Sequence, residues 1–253
     1  LTDFGTREWS VAASRGVILS RCPRARLVDV THEVPPQDVV AGAFTLAAAA
    51  PWFPRGTIFL AVVDPGVGSA RALLAARADG RYFVGPDNGL LAPVLARASP
   101  RAVVRLTNRR YWLTDVSRTF QGRDIMAPVT AHLAAGGSLA RLGTPRSRIT
   151  PLDLPTPQRD GRRLCGCIIH MDGFGNLITN LPASALASGE RLAGRTVRYQ
   201  RRQVRVVSSY VEGRGQELIA LANSQGLIEL AVREGSAAWT CSARRGDLVE
   251  LVG

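Results

Sequence analysis

The run Thr57-Ile58-Phe59-Leu60-Ala61-Val62-Val63, broken by Asp64-Pro65-Gly66, constrains the fold more than any other stretch. A strand exposed on one face alternates polar with apolar residues; this one does not, and is expected to be buried on both faces between helices. Asp64 is then the first polar group to leave the core. Pro65 ends the ladder, Gly66 and Gly68 let the backbone turn sharply, and Arg71 can fold back onto the carboxylate. A carboxylate and a guanidinium at the end of a buried strand stand where layered α/β sheets collect ligands, although the same composition suits a turn closed by a structural ion pair.

The texture around this strand alternates between helix and strand. Helical spacing runs over 10–19, 38–50, 89–98 and 124–135, and strands are expected at 26–30, 73–77, 82–84 and 102–106. This predicts an N-terminal α/β layered domain over residues 1–150 with a central, mostly parallel sheet. Three prolines in Pro151-Leu152-Asp153-Leu154-Pro155-Thr156-Pro157 can continue neither helix nor ladder, which makes 151–162 a linker. Beyond it, short strands at 164–170, 196–199, 204–208, 218–222, 227–231 and 248–252 with tight turns between them predict an antiparallel β-barrel domain over 163–253.

Composition excludes several classes. A chain of 253 residues with 46% hydrophobic and 21% charged residues is a soluble globular type rather than a disordered or fibrous one. Its formal charge of +12 would suit nucleic acid, but all the basic residues are arginines scattered along the chain, so no nucleic-acid partner is expected. Four cysteines spread over 22–241 make no disulfide framework and point to a reducing cytoplasm. The most apolar stretch, Val39 to Phe53, is too short to cross a bilayer core of ~30 Å, so no membrane association is expected. Cys165-x-Cys167 and His170-x-Asp172 lack the further ligands of a metal site. The motifs of phosphate-loop, serine-hydrolase and zinc-peptidase chemistry are missing, and without lysine the triplet Asp3-Phe4-Gly5 cannot belong to a kinase.

Several polar groups at strand and helix ends remain as candidates. Asp3 could accept hydrogen bonds from the vicinal hydroxyls of a ribose, and Glu8 could meet an ammonium group; a turn and a helix-start charge would look the same. Asn88 precedes a helix, as either a ligand contact or a cap. In Thr119-Phe120-Gln121-Gly122-Arg123-Asp124 an aromatic wall stands beside a glycine that leaves room for a small molecule. The turn Asp172-Gly173-Phe174-Gly175-Asn176 puts Phe174 at its tip, and Asn176 could make a two-point contact with an adenine edge.

Taken together, LTDFG at 1–5, VVDPGVG at 62–68 with Arg71, PDNGLL at 86–91, TFQGRDIMAPVTAHLA at 119–134, DGFGNLITN at 172–180 and NSQGLIELA at 223–231 resemble the S-adenosyl-L-methionine hydroxide adenosyltransferases, which share their fold with fluorinases and chlorinases. The resemblance implies attack of water or hydroxide on the ribose C5′ of S-adenosyl-L-methionine, giving adenosine and L-methionine, with no cofactor and in a homotrimer whose sites lie between neighbouring subunits. It implies that Asp64 and Arg71 belong to a water-handling Asp-Arg-His triad whose histidine is here Gln121. A glutamine can position water but cannot take up a proton near neutrality, so a binding protein with little turnover is the alternative. By the same resemblance Asp3 holds the ribose, Phe120 walls the reacting centre, Phe174, Asn176 and Tyr210 hold adenine, and Asp172 with Ser224 holds methionine's polar end. Glu8 stands where the family has an aspartate near the methionine amino group. Fluorinases have a tyrosine at the place of Asp64, a serine at that of Gly122 and an inserted loop before PDNGLL; their absence here, and repulsion between Asp64 and a halide, argue against halide transfer.

Overall fold

A computed structural model describes residues 1–96, 101–186 and 196–252. The chain divides into two compact units, Leu1–Asp153 and Leu154–Gly253.

In the first unit, helices α1 (Ser10–Arg21), α2 (Val39–Ala49), α3 (Ala92–Ala96) and α4 (Ala127–Ala134) cover a five-stranded sheet. Its strands are β1 (Ile58–Leu60), β2 (Leu73–Ala78), β3 (Arg81–Pro86), β4 (Arg101–Leu106) and β5 (Gly143–Pro145), in the order β1-β3-β2-β4-β5. Because side chains alternate across a strand, successive residues feed opposite cores. Ala61, Val63, Leu74, Ala76 and Phe83 pack with α2 and α3, whereas Val62, Leu73, Ala75 and Val84 pack with Ile125, Met126 and Val129 on the other face. The unbroken apolar run that ends at Asp64 is the consequence of that double burial.

The layered α/β fold is as expected, but the sheet is not mostly parallel. Among the described residues of this unit, only β1 with β3 and a single bridge between Thr2 and Val62 run parallel, while β2–β3, β2–β4 and β4–β5 are antiparallel. The connection decides this: Asp79 and Gly80 both take positive φ (48° and 71°), which closes a tight hairpin and forces β2 and β3 antiparallel. The strand expected at 26–30 forms no ladder either, and Leu27 and Val28 stay exposed. The helix expected over 89–98 is seen as α3, and 97–98 lie outside the described residues. No helix among the described residues is long and apolar enough to cross a membrane.

The second unit is a closed barrel. Its strands are β6 (Gln158–Asp160), β7 (Arg163–Met171), β8 (Leu177–Pro182), β9 (Thr196–Tyr199), β10 (Arg202–Val206), β11 (Leu218–Ala222), β12 (Leu227–Val232) and β13 (Leu248–Val252). The order β13-β9-β10-β11-β12-β8-β7 closes through pairing of β13 with β7, and β6 adds to the edge of β7. Ile168, Leu177, Leu181, Val197, Ile228, Leu230, Val249 and Leu251 fill the interior, and a four-residue helix α5 (Ala237–Thr240) packs beside β12. Pairings are antiparallel except β10 with β11, whose connection loops through a turn at 210–212.

Candidate active site

In the first unit the end of the buried strand carries a closed polar network. Arg71 grips Asp64 with a two-point fork, Nε donating to Oδ1 at 2.6 Å and Nη2 to Oδ2. The same Nη2 donates to Gln121 Oε1 at 2.7 Å. The Asp64 and Arg71 side chains are 5% and 9% exposed, so this is a nearly buried ion pair. Loop 64–71 is ordered by Val67 N–H donating to Asp64 O and Ser69 N–H to Gly66 O, both at 3.1 Å. A guanidinium has only donors, so the oxygen of Gln121 must face Arg71 and its amide NH2 is the end left for a ligand.

The other N-terminal candidates lie in the same unit. Phe120 packs edge-to-face against Phe4 and Trp9, each at 5.6 Å, with the Arg123 guanidinium 4.9 Å from its ring centre. A Cβ on Gly122 would sit 3.3 Å from Val62 Cγ1 and 3.6 Å from Phe4, so the glycine keeps this wall open only narrowly. Asp3 is half-buried and accepts from Gln37 N–H at 2.8 Å; Glu8 is exposed just before α1. Asn88 has its side chain engaged by backbone at both ends: Nδ2 donates to Val63 O at 2.8 Å and Oδ1 accepts from Leu90 N–H at 3.2 Å. In this conformation it pins the turn before α3 to the residue preceding Asp64.

Asp124 was not among the candidates. It is fully buried in a widened π turn, Gly122–Met126, which leads into α4. It accepts from Ser117 N–H at 2.8 Å and is forked by Arg123 at 2.6 and 3.1 Å, so it fixes the loop that delivers Phe120 and Gln121. An acid directly before the apolar run from Ile125 onward was the available signal.

In the second unit Asp172 organises its turn. Oδ1 accepts from the N–H groups of Phe174 and Asn176 and Oδ2 from Asn176 Nδ2, all at 2.9 Å. Asn176 is thereby buried, while Phe174 is 81% exposed at the tip. Ser224 is exposed on the turn after β11, which Asn223 Oδ1 holds by accepting from the N–H groups of Gln225 and Leu227 at 3.0 Å each. Tyr210 donates its hydroxyl to Glu229 Oε1 at 2.6 Å.

Glu229 is the second residue missed in the sequence, an acid set in the otherwise apolar strand β12 and only 4% exposed. Burial pushes its carboxyl above the ordinary value and Asp172 adds to this, while the Tyr210 hydroxyl opposes it. Burial, then the bond to Glu229, pushes the Tyr210 hydroxyl up as well.

The whole chain can be set beside known proteins. Residues 1–143 match the model of the SAM hydroxide adenosyltransferase N-terminal domain and residues 166–250 that of the C-terminal domain. The chain belongs to the SAM hydroxide adenosyltransferase family. Within it, the chain is 41% identical to the (R)-S-adenosyl-L-methionine hydrolase of Salinispora tropica, over 99% of this chain and 95% of that one. It is 32% identical to a fluorinase of Actinoplanes sp., over 72% of this chain and 70% of the fluorinase. The crystal structure of an uncharacterized conserved protein from Thermotoga maritima superposes with a TM-score of 0.91 at 33% identity, covering 100% of this chain and 98% of that one.

For this member of the SAM hydroxide adenosyltransferase family, the Glu229 environment carries a pH-dependent stability. A carboxyl whose folded pKa is raised costs nothing while protonated in both states. As pH rises through the unfolded value toward the folded one, the unfolded state ionises first and stability is lost; above the folded value the loss is constant. Glu229→Gln does not titrate, so its stability relative to the parent is expected to rise across that interval and then level off. Urea midpoints measured from pH 4 to 8 check this, and a difference independent of pH would contradict it.

Proposed function

We propose that the chain hydrolyses S-adenosyl-L-methionine to adenosine and L-methionine. One observation carries the reading: a nearly buried carboxylate, Asp64, is held by Arg71 at the end of the central strand, and Gln121 is held by the same guanidinium. In the reaction a water oxygen bonds to C5′ as the C5′–S bond breaks, the electron pair goes to sulfur, and one proton of the water is released to solvent. The sulfonium departs as a neutral thioether, so no general acid is needed. A site that fixes the water in line and keeps other solvent out supplies the rest.

The roles follow from the donors and acceptors available. Asp64 is the acceptor that orients the water's proton, and Arg71 holds it in place. Gln121 offers an N–H to the water oxygen but no base. Phe120 with Phe4 and Trp9 walls the reacting centre, and Gly122 leaves the space in which the ribose carbon sits. Asp3 is assigned to the ribose hydroxyls, Glu8 to the methionine ammonium, Phe174, Asn176 and Tyr210 to adenine, and Asp172 and Ser224 to the methionine end. Asn88 acts by fixing the backbone beside Asp64. The homotrimer with sites between neighbouring subunits belongs to the same reading, and sedimentation velocity reads the subunit number; the cytoplasm is the proposed location.

Incubation with S-adenosyl-L-methionine in oxygen-18 water, with and without chloride, tests the reaction. Adenosine labelled at the 5′ oxygen supports it. Ligand binding without product would favour a binding protein, the reading that the proton-incompetent Gln121 invites, and a 5′-chloro nucleoside would assign halide transfer. Gln121→His restores a group able to accept the water's proton, and turnover is expected to rise roughly tenfold or more, with a new acidic limb near the imidazole range of about 6.5 in the rate profile. Initial rates from pH 5.5 to 8.5 read both; an unchanged profile would mean that position 121 only positions water.

A further inference from the structure

The first unit holds an open cleft of about 810 Å³, and of its lining the hydrolytic reading uses only Arg71 and Gln121. Its lining includes Arg71, Arg105, Arg109, Arg110, Trp112 and Gln121, and contains neither aspartate nor glutamate. Arg71 is neutralised by Asp64. Arg105, Arg109 and Arg110 form no ion pair among the described residues; Arg109 lies 5.7 Å from the Trp112 ring centre. Three uncompensated guanidinium groups therefore share one concave surface.

The scaffold beneath them is fixed. Arg105 sits in β4, in register with Leu74 of β2 and Thr144 of β5. The turn bearing Arg109 and Arg110 is closed by Asn108, which accepts from Arg110 N–H at 3.2 Å and donates to Arg141 O at 2.8 Å. Arg21 clamps its far end, donating to the carbonyls of Tyr111 and Trp112 at 3.0 and 2.9 Å.

We propose that this cleft binds a small molecule carrying several phosphate groups. Guanidinium forks match phosphate oxygens in two-point geometry, and like charges held together repel until a polyanion enters. The volume lies in the range of small-molecule sites. An inorganic oligophosphate and the phosphate chain of a nucleotide offer the same chemistry; Trp112 gives only the nucleotide a further surface to stack on. Arg71 and Gln121 are part of the lining, so an occupant is expected to slow hydrolysis. That second expectation rests on the proposed reaction, whereas binding does not.

Titration calorimetry of the full chain with inorganic tripolyphosphate and with ATP, without any methionine substrate, tests the site. Tripolyphosphate is expected to bind and to weaken as salt is added. Arg105→Glu and Arg110→Glu, which break no side-chain hydrogen bond among the described residues, are each expected to weaken it at least tenfold while the melting temperature is kept. Equal affinities for the two probes support recognition of phosphate alone, and tighter ATP binding supports a stacked base. No heat at millimolar probe and low salt, or affinities indifferent to both charge reversals, would overturn the proposal. So would a changed subunit number in Arg105→Glu without polyphosphate binding, which would assign this face to contact between copies of the chain.

Discussion

Exchanging Arg71 for methionine is expected to cut adenosine release at least about a hundredfold and to lower the unfolding free energy by about 3–5 kcal/mol. The two losses have different origins. Stability falls because Asp64, 5% exposed, would lose the guanidinium that holds both of its carboxylate oxygens. Activity falls because Arg71 Nη2 is shared between Asp64 and Gln121, so one substitution releases both groups that are to hold the water. The double variant Asp64→Leu/Arg71→Met separates them: a hydrophobic pair in place of a buried ion pair is expected to recover most of the stability and none of the turnover. Urea denaturation beside a turnover assay reads the four corners of the cycle. A double variant as unstable as Arg71→Met would show that the loop, not the unpaired carboxyl, sets the cost.

The features legible in the sequence were those that depend on one local pattern. Residues 57–63 announce burial on both faces because no polar residue interrupts them, and Ala61, Val62 and Val63 do feed cores on opposite sides of the sheet. Strand direction was less legible, because pairing is decided by partners far along the chain; there the turn Asp79-Gly80 was the better guide than the alternation of helices and strands. The segment 26–30 shows the limit of composition: Arg-Leu-Val-Asp-Val has the look of a strand, yet with Val28 62% exposed it makes no ladder.

The site divides in the same way. Asp64 and Arg71 lie seven residues apart on one glycine-rich loop, and their ion pair could be read from that loop. Gln121 joins them across fifty residues, which local spacing does not reveal. Glu229 is a local anomaly, an acid in an apolar barrel strand, but its partner Tyr210 stands outside the strands on a short helical turn. Sequence shows that such a group needs an explanation; the fold supplies it.

Gly68→Ala is expected to have the second largest effect, through geometry rather than charge. Gly68 has φ +81°, and a Cβ there would lie 2.7 Å from the carbonyl oxygen of Arg118. The left-handed backbone alone costs an alanine about 1–2 kcal/mol. The overlap adds to it, because the obstacle is backbone and cannot rotate away. Relief requires loop 64–71 to move from the 117–121 segment, which stretches the 2.7 Å bond between Arg71 and Gln121. Gly56→Ala is the comparison: φ is +90° with nothing within 4 Å of the added carbon, so it carries the backbone cost without the overlap. Gly68→Ala is therefore expected to be the less stable of the two by at least about 1 kcal/mol and to lose turnover more than tenfold, while Gly56→Ala keeps turnover within about twofold. Equal stabilities and equal rates would mean that the two segments can part without cost, and that the close approach at Gly68 does not hold the water-handling groups together.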